Sequence, residues 1–167
     1  MTPTDADLSG DWTGFFEQGG ARCGISMRVA QRGQSFVGTM RDHTTMSMHN
    51  VELEAAAADL AAIGGAMPEV VTTLPEHSTV EGEVHGLEVE FHKRYRGAQQ
   101  TTVWLGGSKA LDLRIEDHCV HYRGALQQNG RMLRGEWAIA ECDGVGGEHG
   151  SFELRRLDGE PRQRPAT

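Results

Sequence analysis

The chemistry-bearing residues of this chain gather on a few short alternating segments. In Leu87-Glu88-Val89-Glu90-Phe91-His92-Lys93-Arg94-Tyr95, apolar and polar residues alternate with a period of two. On a strand this puts Leu87, Val89, Phe91, Lys93 and Tyr95 on one face and Glu88, Glu90, His92 and Arg94 on the other. Lys93 and Tyr95 thus share the apolar side. An ammonium on such a face is costly unless it is paired. The same parity turns Asp42 inward from Ser35–Asp42, and His118 and Tyr122 inward from His118–Gly124. Trp137 joins them from Met132–Ile139. Asp42 is the expected counter-ion of Lys93. Lys93, Tyr95 and Tyr122 could together grip a carboxylate or phosphate of a ligand, with Asp42, His118 and Trp137 completing the lining. A desolvated lysine could also act as base or nucleophile, either Lys93 with Asp42 or His118 with Tyr95 forming the acid–base pair. The plain alternative is an ion pair between Asp42 and Lys93 near a rim.

Other groupings carry less. Cys119 and His121 share a strand face, but a structural zinc site needs about four ligands and no second pair is spaced to complete it. No metal or cofactor is therefore expected. His85, His92 and His121 fall on outward faces. Gly144-Val145-Gly146-Gly147 lacks the strand–helix setting of a phosphate loop. The chain contains no His-Glu-x-x-His, no Walker loop and no nucleophile elbow.

Eight short strands are needed to place these residues: 10–17, 24–30, 35–42, 78–85, 87–95, 118–124, 132–139 and 150–157. Arg32-Gly33-Gln34 and Asn129-Gly130 supply hairpin turns. A further hairpin is expected around Gly106-Gly107, between Thr101–Leu105 and Leu111–Ile115. The Ala-rich stretch at residues 51–63 has Leu53, Leu60 and Ile63 at helical spacing, which predicts one inserted helix. The segment Met67–His77 reads as the return to the sheet. The expected architecture is an all-β, closed antiparallel up-and-down barrel of about eight strands with that one helix. One domain spans residues 9–157, with disordered ends at 1–8 and 158–167.

Composition sets the outer bounds. The chain has 167 residues and a formal charge of −8, a balance that argues against nucleic acid and anionic membrane as partners. No apolar run is long enough for a membrane helix, and Met1–Asp7 carries no export signal. Cytoplasmic location is expected, with Cys23, Cys119 and Cys142 as free thiols.

Two ends of the chain carry a resemblance. Gly10-Asp11-Trp12 at the start of the first strand and Phe152-Glu153-Leu154-Arg155-Arg156 at the end of the last resemble the calycin superfamily, most of all its avidin-like and lipocalin-like small barrels. That resemblance implies that Trp12 plugs one end of the barrel and that Arg156 packs over its indole. The Phe-x-Lys-x-Tyr, Tyr-x-Gly and Gly-x-Trp-x-Ile strands are similar to those of a bacterial group of small barrels without characterised function. The ureido-binding set of avidins has no counterpart here, and neither does the export signal or trailing helix of lipocalins. Biotin, fatty acids and retinoids are therefore not carried over. The leading expectation is a small-molecule binding protein with its ligand in the lumen. The alternatives are a barrel-type isomerase or cyclase and a plugged barrel serving as a protein-interaction module. Outer barrel faces leave a homo-oligomer open.

Overall fold

The computed structural model describes residues 6–43, 59, 62, 69–73, 75–115, 119–139 and 148–158. Eleven strands appear among them: β1 (Gly10–Gln18), β2 (Ala21–Arg32), β3 (Ser35–Asp42), β4 (Glu69–Thr73), β5 (His77–His85), β6 (Glu88–Tyr95), β7 (Gln99–Leu105), β8 (Ser108–Ile115), β9 (Cys119–Gln127), β10 (Met132–Ala138) and β11 (His149–Arg156). Eight of them close an antiparallel barrel in the order β1-β11-β10-β9-β6-β5-β3-β2. These are the eight strands expected from the alternation. β4, β7 and β8 form a separate three-stranded sheet. The hairpin around Gly106-Gly107 is present as β7–β8 and lies outside the barrel. β4 lies inside Met67–His77, the stretch expected to do no more than return the chain to the sheet. Of the helix expected over residues 51–63, only Asp59 and Ala62 fall within the described residues, and both are exposed.

Alternation builds the lumen. β6 reads exposed, buried, exposed, buried through to Tyr95, so Val89, Phe91, Lys93 and Tyr95 all point inward. Leu87 does not join them. It sits in the turn opened by Gly86, whose φ is +65°, and is 59% exposed. Strand parity begins only after that turn, at Glu88. Ile25, Met27 and Val29 of β2 and Phe36, Met40 and Asp42 of β3 are buried as the alternation requires.

Aromatic rings fill the middle of the barrel. Phe91 stacks on Tyr122 at 4.7 Å between centroids, and Phe152 meets Tyr122 edge-on at 5.0 Å. Phe36 approaches Phe91 edge-on at 6.0 Å. This layer needs Gly82: a Cβ there would fall 2.4 Å from Cβ of Phe91 and 2.8 Å from the Phe36 ring.

The two ends differ. In an antiparallel ring alternate strands run the same way, so β1, β3, β6 and β10 all run toward one end. At their starting end the connections are short (residues 33–34, 86–87 and 128–131). Trp12 closes this end, fully buried, with its Nε1–H donating to the Leu8 carbonyl at 2.9 Å. It faces Arg156 across the β1–β11 seam, and the guanidinium carbon lies 4.7 Å from the centre of the indole. Arg156 also donates to the carbonyls of Ser9, at 2.8 Å, and of Asp7. One cation–π contact and two carbonyl contacts thus pin the first strand to the last. At the far end, the short β1–β2 turn at residues 19–20 is joined by three long connections, residues 43–76, 96–118 and 139–148.

Candidate functional site

Asp42 ends β3 and Tyr95 ends β6, so the barrel's directionality brings both to the end opposite Trp12. Lys93, two residues before Tyr95 and on the same face, completes the group. The Lys93 ammonium donates to Asp42 Oδ1 at 2.6 Å and to the Tyr95 hydroxyl at 2.9 Å. Tyr95 in turn donates to Asp42 Oδ2 at 2.9 Å. The three side chains form a closed triangle of charge-assisted hydrogen bonds, which are shorter and stronger than neutral ones. Lys93 is 0% exposed and Asp42 7%, so this pair is enclosed and is not screened as a rim pair would be. Only two of the three ammonium hydrogens have partners among the described residues.

The walls around the triad are aromatic. The Lys93 nitrogen lies 5.4 Å from the centre of the Phe16 ring and 4.4 Å from that of Tyr95. Phe16 meets Trp137 edge-on at 6.0 Å, and Trp137 donates its indole N–H to the Glu17 carbonyl at 3.1 Å. Trp137 is therefore held by β1 and presents ring, not N–H, to the lumen.

Tyr122 stands apart. It is 1% exposed and packs its ring against Phe91 and Phe152, while the buried side-chain atom left without a hydrogen-bond partner among the described residues is His121 Nε2.

Electrostatics follows from burial. Desolvation pulls the Lys93 ammonium below the usual lysine range, and the Asp42 carboxylate opposes it. Burial pushes both phenols well above the ordinary tyrosine value, and the Asp42 charge pushes the same way. Tyr95 and Tyr122 are thus fixed as neutral hydroxyls at physiological pH. Asp42 acts on both, which places Tyr122 within electrostatic reach of the triad.

Of the residues singled out from sequence, Asp42, Lys93 and Tyr95 come together directly. Tyr122 and Trp137 line the same lumen, while His118 lies outside the described residues. Cys119 is half-buried and carries a free thiol. His121 stacks on His92 across the β6–β9 pair at 4.7 Å between ring centres, on the outer surface. The Glu90 carboxylate comes within 2.8 Å of His121 Nε2 without the alignment of a hydrogen bond. Among the described residues no three His, Cys, Asp or Glu side chains are grouped to hold a metal ion.

One buried charge escaped the sequence reading. Glu153 of β11 points outward by parity but is 9% exposed, held by Arg155 at 2.9 Å and Arg134 at 3.3 Å. Its signal was the cross-strand register, which sets Glu153 opposite Arg134, and a single strand's pattern does not contain that. No protein-family model matches this chain, and neither curated proteins nor solved structures yield a significant match.

Proposed function

We propose that this barrel binds a small, largely apolar molecule bearing one hydrogen-bond acceptor, held beside the Lys93–Asp42–Tyr95 triangle. The observation that carries this reading is donor capacity left over on an enclosed ammonium walled by aromatic rings. Among the described residues Lys93 uses two of its three N–H groups, on Asp42 and Tyr95, and the neutral Tyr122 phenol lies within electrostatic reach of Asp42. An acceptor oxygen on a ligand would take the third N–H, with Tyr122 as a further donor. The triangle balances its own charge, so the ligand need not be ionised. The rings packed through the middle of the lumen confine the ligand to the end carrying the triad. The calycin-like placement of Trp12 and Arg156 at the opposite end supports the same polarity, one end plugged and the other recognising. Location in the cytoplasm and self-association belong to this proposal as expectations.

Tyr122→Phe tests it. Native mass spectrometry of protein purified from its own host should show a bound small molecule on the parent chain. The variant should keep the stability of the empty protein, within about 1 kcal/mol, because the ring keeps its packing on Phe91 and Phe152. It should bind the ligand about tenfold more weakly, the effect of one lost hydrogen bond of about 1.4 kcal/mol. A chain that carries no molecule in either form would leave the filled core as its whole purpose, the mark of a plugged interaction module.

A further inference from the structure

The chain holds two lysines and fourteen arginines, and one of those two lysines is Lys93. Cationic surface positions are almost all arginine. Among the described residues the single fully enclosed cation is the residue type that can give up its proton, since arginine stays charged in any protein setting. Its immediate neighbour is a group able to take that proton: Asp42 Oδ1 accepts from the ammonium at 2.6 Å. Within electrostatic reach of Asp42 sits a second neutral phenol, Tyr122. An enclosed amine, an adjacent proton acceptor and a nearby neutral hydroxyl are the parts needed to add an amine to a carbonyl.

We propose that Lys93 captures the ligand covalently, as an imine with an apolar, conjugated aldehyde. This rests on the binding reading above and names its ligand class. Lys93 passes one proton to Asp42 and becomes a neutral amine. Its nitrogen lone pair forms a bond to the aldehyde carbon, and the C=O π electrons move to oxygen. That oxygen is steadied by the Tyr122 hydroxyl and takes the proton from Asp42. One of the two protons now on nitrogen passes by way of Asp42 to the carbinolamine hydroxyl, which leaves as water as the nitrogen lone pair forms the C=N bond, and the other proton stays on the imine. Amine plus aldehyde yields imine plus water, with no oxidant or reductant. The carboxylate of Asp42 stands ready as counter-ion to the protonated imine. Burial that draws the ammonium below its ordinary range works in the same direction. The aromatic walls from Phe16 and Trp137 favour a flat conjugated chain over a branched aliphatic one.

The test uses the full chain, cinnamaldehyde as probe and cyanoborohydride to fix any imine. Intact mass should show one reduced adduct, and peptide mapping should place it on Lys93. Lys109, with a side chain 48% exposed, is the internal standard. At neutral pH Lys93 should label at least about tenfold faster than Lys109, whose amine is exposed and paired with Asp112. A Lys109→Arg chain should retain the adduct. Lys93→Met should abolish it, and if that variant fails to fold, the map on the Lys109→Arg chain decides. Adducts confined to Lys109 and the N-terminus, or equal rates, would overturn the proposal. Cinnamyl alcohol, which cannot form an imine, separates the two readings through quenching of tryptophan fluorescence. Saturable quenching without aldehyde capture removes the covalent step and keeps the binding site. No quenching and no capture remove both.

Discussion

Asp42→Asn is the sharpest perturbation of the buried triangle. The carboxylate accepts from Lys93 on one oxygen and from Tyr95 on the other. An amide has a single acceptor oxygen, so one of these contacts becomes donor against donor. The larger effect is an enclosed ammonium left without its counter-charge. Removing one member of a buried pair costs about 3–5 kcal/mol. The structure also sets a ceiling, because Lys93 can escape by losing its proton. Holding a lysine neutral at pH 7 against an unfolded pKa near 10.4 costs about 3.4 units at about 1.36 kcal/mol each, or about 4.6 kcal/mol. A loss of 3–4.6 kcal/mol corresponds to a drop in Tm of roughly 6–18 °C for a chain of this size. The escape route leaves a signature in pH. In the variant, the unfolded chain holds one more proton than the folded chain between the depressed folded pKa and about 10.4. Stability therefore rises with pH in that window, by about 1.4 kcal/mol per unit. Urea unfolding of both proteins from about pH 7 to 9.5 should show the gap between them closing as pH rises. Pairing Asp42→Leu with Lys93→Met should recover most of the loss, since apolar replacement of a buried pair is often neutral or stabilising. A cost below about 1 kcal/mol, or a gap that does not change with pH, would mean a solvent-screened pair and would refute the reasoning.

Two further outcomes follow from the same geometry. Tyr95 and Tyr122 have folded pKa values raised above the ordinary value near 10, so their stabilisation is complete below that value and declines as pH rises past it. Each phenol contributes a loss of about 1.4 kcal/mol per pH unit, and Tyr122→Phe should halve the slope seen in denaturant titrations above about pH 10. At the other end, Arg156→Leu removes the cation over Trp12 and the contacts to the Ser9 and Asp7 carbonyls. It should cost about 2–4 kcal/mol in urea unfolding, and hydrogen exchange should rise first at the β1–β11 seam.

The strands of the barrel were legible because each obeys a local rule. Period-two alternation on Glu88–Tyr95 set the inward face of β6, and the Asn129-Gly130 turn set the β9–β10 hairpin. Gln128, Asn129 and Gly130 indeed take φ of +51°, +57° and +79°. The triangle was legible only through parity: Asp42 and Lys93 lie 51 positions apart, and each pointed inward on its own strand's pattern. What escaped was non-local. The Val70-Val71-Thr72-Thr73 run is β-branched and strand-forming, but the prolines around it, Pro68 and Pro75, masked that signal. That β4 pairs with β7 and not with a barrel strand is a matter of partners, which no single segment encodes. Leu87 breaks the alternation because the Gly86 turn, at φ +65°, interrupts the pleat before β6 begins at Glu88. The third N–H of Lys93, unused among the described residues, could not have been read at all, because satisfaction is a property of the assembled lumen.

The seam between Trp12 and Arg156 bears on how this ring is made. The other barrel pairings join strands that follow one another around the ring, so they can form in succession as the polypeptide lengthens. The β1–β11 pairing alone unites segments from opposite extremes of the sequence, and it must wait for the final strand and bear the largest loop-closure entropy. Until then two raw edges, on β1 and on β10, stay open to foreign strands. The arginine over the indole is therefore a latch on the last event of assembly.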